Sequence, residues 1–435
     1  MLQKLITSAT VAVVAGLAAS ALAGTDKGPT VTIGGLLDTQ FGSQHQKRVF
    51  NTNANGQITH YGIVNDTQVH FKIDGHSHGL KYGGLINLNA DTSTSKVGED
   101  SVAHQTMVYV ESALGRMEAG SYTGAYDAMR VSGATLAKAT GGIDGDWKYW
   151  INTNFTIPDN DPTTPDDRFI SPSPSLPTAM DKSYRANAAK VTVYTPSVAG
   201  FKAGVTFIPD TDHFGTVSHL KGTSRSFTTD VGANFMNGEG FRNVVQGGFG
   251  YNGKLDKVIV KASILGEIGS AKKVSPAANT TTNSYIYSRQ KLRAYEAGAS
   301  VHFMGFGLGG SYGSTGKSGA VTNQTHTTVA NNTPTVNNTV YGTKAGRYYT
   351  GGVNYEHSKF GASFGYMNNR GPRSIVSGVP AAKDTTRLYS LGLDFKAAPG
   401  FMPYVEGTYF KSNVSGSATQ RNNGNVILAG MKLNF

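Results

Sequence analysis

The sequence predicts an all-β chain, a transmembrane antiparallel up-and-down β-barrel of about sixteen strands. Three observations carry that expectation. Short runs alternate between apolar and polar residues along most of the chain. Tight turns alternate with long polar connections. After the N-terminus, no run of the 435 residues approaches the length of an apolar membrane helix.

The N-terminus reads as an address. Residues 1–23 form a signal peptide: Lys4 supplies the positive start, the stretch that follows is apolar or small, and Ala21-Leu22-Ala23 supplies the cleavage pattern. The remainder, 24–435, is then one barrel domain.

The strands follow in order. In 30–42, Val31, Ile33, Leu37 and Phe41 oppose Thr32, Asp38 and Gln40. In 68–74, Val69, Phe71 and Ile73 oppose His70 and Lys72. In 256–267, Val258, Val260, Ala262 and Ile264 oppose Lys261, Ser263 and Glu267. Phe360, Ala362, Phe364 and Tyr366 share one face. At the C-terminus, Ile427, Ala429, Met431, Leu433 and Phe435 share one parity, against Gly430, Lys432 and Asn434. Each strand has an apolar face and a polar, glycine-rich face.

Tight turns are expected at 77–79, 113–115, 252–255, 303–305, 357–359 and 398–400. Long polar connections cover 43–66, 121–183, 210–242, 268–291, 313–345 and 370–385. Residues 226–235 read equally as a strand or as part of a loop. Aromatics cluster near strand ends, among them Tyr251, Phe303, Tyr355 and Phe395. Unpaired backbone groups in lipid cost several kcal/mol each, so such a run of hairpins must close on itself. About sixteen strands enclose a lumen too wide for side chains to fill, and it holds water.

Composition excludes other classes. The chain has no cysteine, which removes disulfide scaffolds, zinc ribbons and thiol nucleophiles. Its net charge of +11 is scattered rather than blocked into a patch, so no nucleic acid partner is expected. Gly305-Phe306-Gly307-Leu308-Gly309-Gly310 fits G-x-G-x-x-G without the strand–helix context a dinucleotide needs. His76 and His78 have no third ligand nearby, so no metal and no cofactor is expected. Carboxylates are too dispersed to nominate a catalytic pair, and no enzyme is expected.

Four segments carry a family resemblance: 30–40 (TVTIGGLLDTQ), 107–127 (MVYVESALGRMEAGSYTGAYD), 191–205 (VTVYTPSVAGFKAGV) and the terminal Phe435 with its alternating approach. Together they resemble the Gram-negative general porins of the bacterial outer membrane. One departure stands out: Gly120-Ser121-Tyr122 occupies a place where family members often carry Gly-Arg-Gln.

The resemblance implies a homotrimer of 16-stranded barrels that passes ions and small hydrophilic solutes. Its third loop would fold inward as a constriction, here 121–183, which holds Trp147, Trp150 and six prolines. Phe435 would be the signal read by the barrel-assembly machinery. The outer loops would meet membrane lipid and lipopolysaccharide.

A constriction filters ions by the charge that lines it. The candidate lining residues are Lys72, Lys81, Arg116, Lys190 and Lys261 on the wall, with Asp127, Asp144 and Asp146 on the loop. Loop acids facing wall lysines would set up a transverse field. The basic surplus leans the reading toward anions, while the acidic loop opposes it. Two alternatives remain at this stage: a barrel acting mainly as adhesin or antigen, and a substrate-specific channel.

Overall fold

The computed structural model describes residues 27–47, 52–53, 56–57, 60–90, 103–151, 174–179, 187–211, 240–272, 283–330, 333–340, 342–371, 373–375, 385–413 and 421–435. The expected signal segment 1–23 and residues 226–235 lie outside them.

In chain order the strands are β1 (Lys27–Gln46), β2 (Thr52–Asn53), β3 (Gly56–Gln57), β4 (Tyr61–Ser77), β5 (Leu80–Asn89), β6 (Ala103–Ser112), β7 (Gly115–Ser121) and β8 (Ala189–Tyr194). There follow β9 (Phe201–Asp210), β10 (Phe241–Leu255), β11 (Val258–Ala271), β12 (Asn283–Arg289), β13 (Leu292–Phe303), β14 (Phe306–Gly316), β15 (Val321–Ala330) and β16 (Thr333–Val340). The last are β17 (Gly342–Lys344), β18 (Gly346–His357), β19 (Phe360–Arg370), β20 (Arg373–Ile375), β21 (Thr385–Phe395), β22 (Phe401–Asn413) and β23 (Arg421–Asn434). Among the described residues no helix is long and apolar enough to cross a membrane.

Sixteen of these strands close into an antiparallel barrel. Closure runs through β1, which pairs with β4 on one edge and with β23 on the other. The chain's last residue completes the seam: Gly35 N donates to Phe435 O at 3.0 Å, and Phe435 N returns to Gly35 O at 3.2 Å. With both edges of every barrel strand paired, the wall leaves no open edge to hydrocarbon.

Side-chain parity sorts outside from inside as expected. Val31, Ile33, Ile264, Phe364, Ile427 and Met431 point outward and are exposed, as a lipid band requires. Polar residues of the opposite parity, including Asp38, Glu267, Glu296 and Glu406, are buried inside. The burial is therefore inverted relative to a water-soluble protein.

Two expectations are corrected. The turn expected at 252–255 lies at 256–257, where Asp256 takes the left-handed conformation (φ 53°). Gly253 signals a turn in sequence, but it stays in strand β10 because the Tyr251 ring lies over it; a Cβ there would come within 2.1 Å of the phenol oxygen. The polar stretches 268–291 and 313–345 also contain β12, β15 and β16, which form a separate three-stranded sheet. A strand outside the bilayer can be wet on both faces, so it lacks the alternation that marks the barrel strands.

Candidate functional site

Residues 122–151 leave the end of β7 and run along the inner wall. The backbone amides of this segment have no regular ladder, so the wall must supply acceptors. Ala125 N donates to Thr206 on β9 at 2.8 Å, and Tyr126 N to Gln246 on β10 at 3.3 Å. Val131 N donates to Ser263 on β11 at 2.9 Å, and Gly133 N to Thr350 on β18 at 2.9 Å. Lys138 N donates to Ser363 on β19 at 2.8 Å. Thr140 N and Gly142 N both donate to Glu406 on β22 at 3.1 Å. The polar face read from sequence is thus a rail of acceptors on which the segment is laid. Lumen-facing glycine allows the close approach: a Cβ on Gly298 would sit 1.8 Å from Val131 O.

Apolar anchors secure both ends. Near its start, Tyr126 and Met129 pack with Leu176, Tyr194 and Leu265. Toward its far end, Ile143, Trp147 and Ile151 pack against Met367, Leu388, Phe410 and Leu428 of the wall. The Trp147 ring stacks on Phe410 with centroids 5.8 Å apart. Trp150 Nε1 donates to Gln40 Oε1 at 2.6 Å, and Gln40 Nε2 donates to Asp146 Oδ2 at 3.1 Å.

A charged knot holds the middle. Arg130 Nε meets Glu296 at 3.3 Å, and its Nη1 meets Asp144 at 3.3 Å. Glu296 also accepts from the hydroxyls of Tyr126 and, at 2.9 Å, Tyr348. Burial opposes the Arg130 charge, but the carboxylates of Glu296 and Asp144 beside it outweigh that cost and hold the guanidinium protonated. Farther along, Thr178 N donates to Glu267 at 3.2 Å, and Lys138 pairs with Glu356.

The sequence-predicted site residues separate into two groups. Lys72, Lys81 and Arg116 share the stretch of wall formed by β4–β7. Lys72 lies 2.9 Å from Asp74, and Lys81 lies 3.8 Å from Glu111; each lysine side chain is 62% exposed. Arg116 bridges Glu111 at 3.1 Å and Glu118 at 2.6 Å, over the Tyr109 ring. Lys261 is exposed on β11 toward the short-turn end, and Asp127 is half-buried.

Lys190 and Asp144 are corrected. Lys190 is buried, with its ammonium donating to the backbone oxygen of Tyr122. Asp144 is buried between Arg130 and Lys148, the latter at 3.6 Å. The simple picture of loop acids opposite wall lysines is also changed: loop cations Arg130 and Lys138 pair with wall glutamates instead.

A family model described as Gram-negative porin matches residues 8–417. The chain belongs to the Gram-negative porins. It is therefore an outer-membrane porin, a multi-pass β-barrel channel. This porin is 26% identical over 387 residues to an uncharacterised protein of Rickettsia typhi, covering 81% of this chain and 80% of that one. Its fold is similar to OmpT, an outer membrane protein of Vibrio cholerae solved in a trimer form, with TM-score 0.52 and 12% identity over 94% of this chain and 100% of that one. The loop L8 deletion mutant of the same protein matches equally, with TM-score 0.52, 12% identity, and 94% and 100% coverage.

The lumen knot of this porin was the part least visible in sequence. Tyr126 and Tyr348 carry no charge to attract notice, although Tyr348 is a bulky residue at a lumen-parity position of β18. That mismatch is the one signal that marks it.

Proposed function

We propose that this porin is a passive diffusion channel for ions and small hydrophilic solutes, assembled as a homotrimer, with a weak preference for anions. The observation that carries the reading is what the inward segment covers. The described residues of the segment hydrogen-bond to the wall, and wall acids at Asp38, Glu267, Glu296, Asp394 and Glu406 are buried. Lys72 and Lys81 stay exposed to the lumen water. With Lys190 buried as well, the exposed wall cations Lys72 and Lys81 carry the proposed basic character of the lining. Residues 121–183 act as the constriction, and Arg116 and Lys261 add to the basic lining.

On the same reading, residues 1–23 direct export and are removed. Phe435 is the handle for the barrel-assembly machinery. The outer loops meet membrane lipid and lipopolysaccharide. The trimer form of the Vibrio cholerae protein supports the homotrimer by fold likeness.

Planar-bilayer recording tests the proposal. The expected result is a stable open state that closes in three equal steps, with a reversal potential in a KCl gradient of the sign set by chloride. Absence of current would overturn the channel in favour of a display barrel. A clear potassium-selective reversal potential would overturn the anion preference.

A further inference from the structure

The outward faces of β13, β14, β18, β19, β21 and β22 carry a row of tyrosines near their long-loop ends. Tyr295 and Tyr312 have ring centroids 6.1 Å apart, and Tyr312 and Tyr349 are 5.3 Å apart. Tyr366 and Tyr389 are 5.1 Å apart, and Tyr389 and Tyr409 are 6.4 Å apart. Such a row sits where hydrocarbon gives way to headgroups, so it fixes the depth of whatever lies just beyond it.

Just beyond it on the same outward face lie five cations: Arg293, Arg347, Arg370, Arg387 and Lys411. Four of them stand two residues from a belt tyrosine, roughly one headgroup layer further out along the strand. Their pairing is the unusual feature. Arg347 is directly opposite Arg370 in the β18–β19 register, and Arg387 is directly opposite Lys411 in the β21–β22 register. Like charges directly opposed across a strand pair repel and destabilise the sheet.

None of the five has an ion pair with a carboxylate among the described residues; the recorded neighbour of Arg347 is the Tyr349 ring, 5.9 Å away. The arrangement is also local. At the corresponding level β23 and β1 present Asn423, Asn425, Ser43 and His45.

We propose that this arc is a binding site for anionic, phosphate-bearing lipid headgroups of the surrounding leaflet. Each opposed cation pair would share one phosphate, which turns a repulsion into a bridge. The belt sets the phosphate's height, the guanidinium groups offer paired donors that fit its oxygens, and the acyl chains run down over Leu391, Leu393 and Val405. The inference rests on the outer-membrane reading and names the lipid chemistry that this part of the wall selects.

The test uses the full-length protein in neutral detergent, with retained lipids counted by native mass spectrometry and thermal stability followed in parallel. Phosphatidylglycerol is expected to be retained and to raise the melting temperature, while phosphatidylcholine and inorganic phosphate at equal concentration do neither. The double variant Arg347→Gln/Arg387→Gln is expected to retain roughly tenfold less phosphatidylglycerol. Arg370→Glu gives Arg347 an internal partner; it is expected to raise stability in lipid-free detergent and to shrink the gain from phosphatidylglycerol.

Equal retention by wild type and double variant would overturn the site. So would equal retention of phosphatidylcholine, or a full effect from inorganic phosphate alone. Conductance on the same samples separates this from the channel reading: a variant that loses lipid but keeps conductance supports a peripheral lipid site, and joint loss of both overturns it.

Discussion

Arg130 on the inward segment meets Glu296 on the barrel wall at 3.3 Å, across 166 positions of sequence. The Arg130 side chain is 8% exposed and that of Glu296 is 0% exposed, so neither charge can turn to water if its partner is removed. Losing one member of a buried pair costs about 3–5 kcal/mol, whereas replacing both with apolar groups is often near neutral. Arg130→Met and Glu296→Leu alone are expected to lower the thermal midpoint clearly. The double substitution is expected to recover only part of the loss in a double-mutant cycle, because Asp144 and the Tyr126 and Tyr348 hydroxyls each lose a partner with it. Single substitutions are also expected to raise open-channel noise, because this pair ties the segment's middle to β13.

Trp147 is fully buried, and Trp150 is only partly so. These are the chain's two tryptophans, so tryptophan emission, excited at wavelengths that tyrosine does not absorb, reports on the inward segment alone. In Trp150→Phe, the remaining emission from Trp147 is expected to be blue-shifted and poorly quenched by acrylamide. Trp147→Ala removes the stack on Phe410 and is expected to cost about 3–5 kcal/mol of local anchoring. The readout is faster proteolysis within 138–151 while the barrel stays folded.

The outline of the barrel was legible because bilayer and lumen impose opposite chemistry on alternate residues. Ile427 and Lys432 could be assigned to sides by parity alone. What escaped was the partner of each lumen group. Parity places Lys190 and Glu406 inside, but it cannot say that Tyr122 covers the first or that Thr140 and Gly142 bind the second. That depends on the path of a segment with no periodicity. The strands of the outer sheet escaped for a related reason, since water on both faces leaves no alternation to read.

Ion selectivity separates exposed charge from buried charge. Lys72→Glu and Lys81→Glu each change a water-facing group by two charges, and both are expected to move the KCl reversal potential toward cations. Lys190→Gln removes a buried ammonium held by Tyr122 O and is expected to leave selectivity within error of wild type. A shift for Lys190→Gln as large as that for Lys72→Glu would mean that Lys190 reaches the pore.

Phe435 joins the chain's end to its first strand through two backbone hydrogen bonds with Gly35, and its ring fills the space beside Gly35, where a Cβ would come within 2.6 Å of it. Deleting Phe435 removes both bonds at the seam and exposes the facing groups of β1 to hydrocarbon, a cost of several kcal/mol. Phe435→Ala keeps the bonds and loses only the ring. Deletion is therefore expected to lower the thermal midpoint of protein refolded in detergent far more than Phe435→Ala does. On the proposed role of Phe435 as an assembly signal read by its side chain, the two are expected to converge on low yield in cells. Equal stability of the deletion and the wild type in detergent would show that closure does not depend on this residue.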